Sequence, residues 1–220
     1  GVALASPTPA RADGENYVIA TDTTFAPFEF QDAKGNYVGI DMDLIREIAK
    51  DQHFNVDIKP LGFDAALQAV QANQAAGVIA GMSITDARKK VFDFSEPYFE
   101  SGVQMAVLAS NDNIKSYEDL KGKRVAVKNG TEGAGFADSI KDKYGFTVVS
   151  FADSASMFEE VKTGNSVAVF EDYPVLAYGI QQGNGFKTVT PKEKGSSYGF
   201  AVNKGQNAEL LKKFNAGLDN

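Results

Sequence analysis

Residues 124–151, RVAVKNGTEGAGFADSIKDKYGFTVVSF, carry the pattern that decides the fold. Positions 124–127 read as a short apolar strand, Lys128-Asn129-Gly130-Thr131 as a polar turn, 131–142 as a helix and 147–151 as a second strand. Two strands joined through a helix run parallel, because a parallel pair needs a crossover far longer than a hairpin turn. The rhythm continues downstream with a helix over 156–162, a strand over 167–170 and a helix from Pro174. Upstream it begins with a strand over 17–20, followed by Ile40, Leu44, Ile45, Ile48 and Ala49 at helical spacing behind Asp41 as a cap. A strand over 55–58, a helix over 63–72, a strand over 77–80 and a helix opening at Thr85 or Asp86 complete the first run. Alternation of this kind predicts the α/β class, with parallel sheets covered by helices on both faces.

Between the two runs lies the longer apolar segment 98–108, followed by the polar stretch 110–115, and the strand-like 198–202 returns before a last helix from about Asn207. This reads as two α/β lobes joined by two crossings, with the cleft between them as the default site. The limits expected are 17–98 with 199–220 for one lobe and 103–195 for the other. Residues 1–16 are small, Ala-rich and aperiodic. Their Ala3-Leu4-Ala5 and Ala10-Arg11-Ala12 triplets resemble cleavage sites, and a flexible leader or linker is the expectation.

Composition narrows the function. At 220 residues, 43% hydrophobic and 23% charged, the chain has the makings of a folded core. A net charge of −7 opposes binding to a phosphate backbone. With no cysteine and a single histidine, His53, it builds no disulfide, thiolate nucleophile or Cys/His metal site, so neither metal nor cofactor is expected. His53 follows a helix end, where a surface residue favoured by the dipole is the simplest account. No run approaches the roughly 18 apolar residues of a spanning helix.

Ligands of open α/β sheets gather beyond the carboxyl ends of the strands. The segments found there are Thr21-Asp22, Ala80-Gly81-Met82-Ser83, Lys128-Asn129-Gly130-Thr131 and Glu171-Asp172. Arg88, in the first turn of the helix behind Thr85 or Asp86, opposes the helix dipole, which leaves open a solvated arginine or a recruited anion. The 128–131 turn has the geometry to hold a carboxylate on its backbone N–H groups, or to be a plain capped turn. It lacks the spacing of a phosphate-binding G-x-x-x-x-G-K loop. Gly133 and Gly135 do not make a dinucleotide fingerprint, because Asp stands at 138. Asp172 is either a turn former or a carboxylate at the cleft edge, and Phe25 and Phe63 are either core or a pair that sandwiches a ligand stem.

The segments 20–30 (ATDTTFAPFEF), 39–44 (GIDMDL), 80–90 (AGMSITDARKK) with Phe92-Asp93-Phe94-Ser95, 119–123 with 125–131, and 198–202 occur in one order. In that order they resemble the extracytoplasmic solute-binding proteins of polar amino-acid ABC importers, and among them the glutamine-binding members most. The resemblance covers about residues 17–218. It implies a two-lobed periplasmic-binding-protein-like fold of type II with two hinge crossovers, near 98–102 and 196–200. It also implies no enzymatic activity, a monomer, a transmembrane permease as partner and a tethered extracytoplasmic location. In such proteins the arginine at Arg88 pairs with the ligand's α-carboxylate, helped by Ser83 and Thr131. The Gly81 carbonyl, the Ser83 hydroxyl and Asp172 hold the α-ammonium, and Asp22 and Lys128 face the far end of the side chain.

An acceptor and a donor together match a carboxamide, so glutamine is the first expected ligand, with asparagine, glutamate and arginine as alternatives. Enteric glutamine-binding members carry His where Glu171 stands, and an acid there would bond an amide N–H or draw in a cation. The family's chains usually continue past the last helix into another that packs back on the first lobe, so a chain cut from a longer polypeptide is expected, at some cost to that lobe's stability. The same resemblance keeps two other readings in view. One is a dehydratase-like enzyme on this scaffold, with Glu171 as its acid. The other is an amino-acid sensor module.

Overall fold

The computed structural model describes residues 14–193 and 195–220, so the expected leader and its cleavage-like triplets fall almost entirely outside the described residues. The first half runs β1 (Asn16–Thr21), β2 (Phe30–Gln31), β3 (Tyr37–Val38), α1 (Ile40–Asp51), β4 (Asn55–Pro60), α2 (Phe63–Gln71), β5 (Gly77–Val78), α3 (Asp86–Lys89) and β6 (Phe92–Phe94). Then β7 (Phe99–Glu100) leads to β8 (Val103–Leu108), a 3₁₀ turn (Tyr117–Leu120), β9 (Arg124–Lys128), α4 (Glu132–Tyr144), β10 (Thr147–Phe151), α5 (Ser154–Lys162), β11 (Ala168–Asp172), α6 (Tyr173–Gln181) and β12 (Phe186–Thr188). The chain returns through β13 (Ser197–Tyr198) to β14 (Ala201–Asn203) and α7 (Ala208–Asp219).

Two five-stranded sheets result, ordered β4-β1-β5-β14-β6 and β10-β9-β11-β8-β12, each the floor of one lobe. The expectation of purely parallel sheets is corrected. β1 pairs in parallel with β4 and β5, and β9 with β10 and β11, but β14 runs antiparallel to β5 and β6, and β8 runs antiparallel to β11 and β12. The antiparallel strands are those next to the crossings, where the chain changes lobe and no helix reverses it. Helices cover both faces of each sheet. In the first lobe Ile19, Met42, Ile45, Phe200 and Phe214 pack with α1 and α7, while Phe63, Ala66, Val70, Val78 and Ala80 pack with α2. The α7 ring of Phe214 stacks 4.5 Å from that of Phe200, which anchors the returning chain.

The two crossings lie against each other. β7 and β13 pair antiparallel through Phe99–Tyr198 and Glu100–Ser197, and a Cβ added to Gly195 would sit 2.1 Å from the Cα of Gly102. Phe28 of the first lobe meets the crossing rings edge-on, at 4.9 Å from Tyr198 and 5.0 Å from Phe99, and Val175 of α6 joins the same cluster. The segment expected as one strand over 198–202 is broken at 199–200, where it passes from the crossing pair into the first sheet.

Asp41 is not the cap of α1. The N-cap is Gly39, and Asp41, fully enclosed, accepts from the Gly81 N–H and the Tyr98 hydroxyl, each at 2.7 Å. Beside it lies Glu29, also fully enclosed, with the Asp41 carboxyl as its neighbour and no conventional donor to either oxygen among the described residues. Such a pair bonds only while one member holds a proton. Burial first, and the Asp41 charge second, push the Glu29 pKa well above its ordinary value. Because the folded value is the higher one, the stability gained is present below a pH near the unfolded 4.5 and is lost as pH rises toward the folded value. Glu29→Gln, whose amide keeps a donor toward Asp41, is therefore expected to flatten the alkaline loss of stability. Thermal unfolding at pH 5 and pH 8.5 checks this, with the variant gaining about 1–3 kcal/mol over wild type at the higher pH only.

Candidate functional site

The loops that follow β1, β5, β9 and β11 converge between the lobes. Phe25, Phe63, Ala80, Gly81, Ser83 and Arg88 come from the first lobe, and Lys128, Thr131, Glu132 and Asp172 from the second. Together they line one tight cleft with a cavity volume of about 10 Å³, room for about one water, so the lobes must part to admit a ligand. Of the ten residues expected at the site, eight line it directly. The other two, Asp22 and Glu171, stand behind its wall as partners of Lys128 and Asp172.

Gly81 takes φ +52, and a Cβ there would lie 2.4 Å from the ring of Phe25, so only glycine lets this strand end approach the aromatic wall. Thr85, in extended backbone, caps the short helix α3 by accepting from the Arg88 N–H at 3.2 Å. Arg88 then turns inward rather than to solvent. Its guanidinium donates to the Ser83 carbonyl at 2.8 Å and, across the cleft, to the Gly130 carbonyl at 2.6 Å, and it lies 5.3 Å from the Phe63 ring centroid. Burial lowers its pKa, opposed by the charges of Asp172 and Glu132, and a guanidinium stays charged under such a shift. Thr131 caps α4 through Ala134 N–H and donates to the Lys128 carbonyl at 2.7 Å, which fixes the turn that faces Arg88.

At the other end the Lys128 ammonium, 1% exposed, donates to Asp22 at 2.6 Å and to Ser154 at 3.4 Å. The ring of Phe25 lies 4.0 Å from Nζ and that of Phe63 5.3 Å, so the expected aromatic pair flanks this cation. Burial pulls the ammonium down, but the carboxylates of Asp22 and Glu171 outweigh it and leave its pKa raised. Ser154 donates in turn to Glu171 at 2.9 Å, and the Asp172 N–H donates to the other Glu171 oxygen at 2.9 Å. Burial raises the Glu171 pKa against the lowering effect of Lys128.

Asp172 accepts from the Tyr198 hydroxyl at 2.5 Å, and Tyr198 accepts from Ser101 at 3.1 Å, so the acid is held from both crossings. Burial, then the Glu171 charge, lift its pKa to about 8. Its expected alternative role as a turn former is partly met as well, since it stands at the N-cap of α6 but makes no side-chain cap bond.

Sequence reasoning passed over four contributors. Glu132 and Ser154 looked like ordinary helix starts, and Tyr98 and Tyr198 like ordinary strand aromatics. The one signal available for Ser154 was its place directly after a strand of the second sheet. His53 is exposed, with φ +59, and away from the cavity. Among the described residues no cluster of His, Cys, Asp and Glu suits a metal, and no helix is long and apolar enough to cross a membrane.

Comparison with known proteins places the chain in a family. Residues 17–220 match the family described as bacterial extracellular solute-binding proteins, family 3. A probable histidine-binding protein of Neisseria gonorrhoeae is 32% identical over 216 residues, covering 96% of this chain and 80% of that one. Two solved structures are each 43% identical. An ancestral arginine-binding protein bound to glutamine superposes with a TM-score of 0.86, covering 93% of this chain and 90% of the other. Substrate-binding domain 2 of Lactococcus lactis GlnP in an open conformation gives 0.65, covering 96% and 90%. At equal identity the higher score goes to the ligand-bound protein, in keeping with the direct Arg88–Gly130 contact across the cleft. The chain belongs to family 3 of the bacterial extracellular solute-binding proteins.

Proposed function

We propose that the chain binds a free polar L-α-amino acid, glutamine first, between lobes limited to 17–98 with 199–220 and to 103–195, and hands it to the permease of an ABC importer. The observation that carries this reading is that Arg88 of one lobe and Asp172 of the other line the same cleft. A zwitterion is costly to bury unless each charge meets its opposite with hydrogen bonds, and these two residues are a matched pair for it. The guanidinium takes the carboxylate in bidentate fashion, beside Ser83 and Thr131, while Asp172 takes the ammonium with the Gly81 carbonyl and Ser83 hydroxyl. Asp22 and Lys128 then offer an acceptor and a donor to a carboxamide. Ligand atoms bridging the lobes stabilise the closed form, which the permease reads. The ancestral arginine-binding relative is solved with glutamine and, at the same likeness, with arginine, so it supports this ligand and a cationic one alike.

A cationic amino acid is the second reading, favoured by the excess of acids around the cavity: Asp22, Glu132, Glu171 and Asp172 against Arg88 and Lys128. Relatives named for histidine and arginine fit it too. The family setting also favours a monomeric binder in an extracytoplasmic, membrane-tethered location over a dehydratase-like enzyme or a sensor. Calorimetric titration against the twenty amino acids separates the readings: one-to-one saturation by glutamine without turnover supports the first, preference for arginine or histidine the second, and product formation an enzyme.

A pH dependence follows. With its pKa at about 8, Asp172 carries its proton at neutral pH, and an ammonium placed against it favours the carboxylate. Binding then releases the proton, so affinity rises with pH below about 8, by up to about tenfold per unit. Titrations at pH 7 in two buffers of different ionisation enthalpy should report close to one proton released per ligand. Heats independent of the buffer would remove Asp172 from the ammonium site.

A further inference from the structure

We infer that Glu132 is a second acid for the ligand's α-ammonium and ties that ammonium to the returning crossover through Ser196. The inference rests on the reading of the cavity as an amino-acid site. Glu132 opens α4, directly after the Thr131 cap, and lines the cavity with Arg88 and Asp172. Its two oxygens differ in their surroundings. Oε1 accepts from the Ser196 hydroxyl at 2.5 Å, whereas Oε2 is enclosed and has no hydrogen-bond partner. A carboxylate oxygen withdrawn from water needs a donor, and the α-ammonium expected in this space brings three. Helix-dipole stabilisation alone would be satisfied by an acid facing solvent and does not explain an enclosed, unpartnered oxygen on a residue that lines the cleft.

The other oxygen gives the contact a mechanical consequence. Ser196 stands on the chain returning from the second lobe to the first, and its carbonyl accepts from the Ser101 N–H of the outgoing crossing at 3.2 Å. A ligand held at Oε2 therefore draws on the same carboxylate that grips the hinge. Occupancy and closure are coupled through one side chain, in addition to the contacts each lobe makes with the ligand.

The test measures equilibrium affinity for glutamine, and for arginine in parallel, together with association and dissociation rates by stopped flow. Glu132→Gln keeps an acceptor for Ser196 but removes the charge, and should weaken binding on the order of ten- to a hundredfold, mainly by faster dissociation. Ser196→Ala touches no ligand atom, yet should speed dissociation about three- to tenfold with association unchanged. In the Glu132→Gln background, Ser196→Ala should then add nothing, since the ammonium is no longer tied to the hinge. Glu132→Ala serves as a second variant should the glutamine form fold poorly, judged by circular dichroism. A Glu132→Gln protein that binds as wild type does, or Ser196→Ala effects that simply multiply with it, overturn the inference while leaving the amino-acid reading intact. Wild type that binds no free amino acid overturns both.

Discussion

Arg88→Ala is expected to lose binding of every free amino acid, whatever its side chain. The guanidinium is the one cation placed to meet the α-carboxylate, and it is already fixed by the Ser83 and Gly130 carbonyls, so little further ordering is needed when the ligand arrives. Two charge-assisted hydrogen bonds at about 1.5–3 kcal/mol each amount to roughly 3–6 kcal/mol, or about 10²–10⁴ in affinity. A ligand of micromolar affinity would then bind only at concentrations near the millimolar range or above. Arg88→Lys keeps a positive charge but loses the planar fork, and should fall between the two. Calorimetry with glutamine, asparagine, histidine and arginine checks the result. An Arg88→Ala protein that bound any of them within threefold of wild type would remove this residue from the carboxylate site.

Much of this site was readable before the structure because it lies where α/β topology puts sites. Each of the four turns picked out after a strand contributes to the cavity or its wall, and the period change between strand and helix is a local signal. Lys128 ends an apolar strand, and its burial could be anticipated from that setting. What stayed hidden is long-range. Strand direction is not encoded in alternation, so the antiparallel runs of β8 and β14 were not anticipated, and the three-residue β12 was not read at all. Asp41 resembles a helix cap in its local sequence, but its partners Gly81 and Tyr98 lie 40 and 57 residues away. The same holds for Tyr198, whose hydroxyl reaches Asp172 from 26 residues on. Glu132 and Ser154 sit at the starts of helices, where acids and hydroxyls are ordinary, and only their inward direction distinguishes them.

The largest change in selectivity is expected from Lys128→Ala. In the wild type the ammonium holds two acids in the same neighbourhood, Asp22 directly and Glu171 through Ser154, and any cationic side chain arriving there meets it as a like charge. Removal has three consequences. Glutamine loses its donor and should weaken about ten- to a hundredfold. A guanidinium or ammonium loses its repulsion and gains uncompensated carboxylates, so arginine and lysine should strengthen by at least about tenfold and overtake glutamine. Ser154, which accepts from Lys128, also lines a larger groove with Thr23, Thr24 and Ala26, toward which a longer side chain should extend once Lys128 is cut back. The unliganded variant should be less stable by about 3–5 kcal/mol, since a buried pair has lost one partner. Arginine should restore that stability more than glutamine does, which a thermal shift titration reads directly. Equal loss of all ligands, with no reversal in their order and no preferential rescue by arginine, would mean that Lys128 holds the lobe together without choosing the ligand.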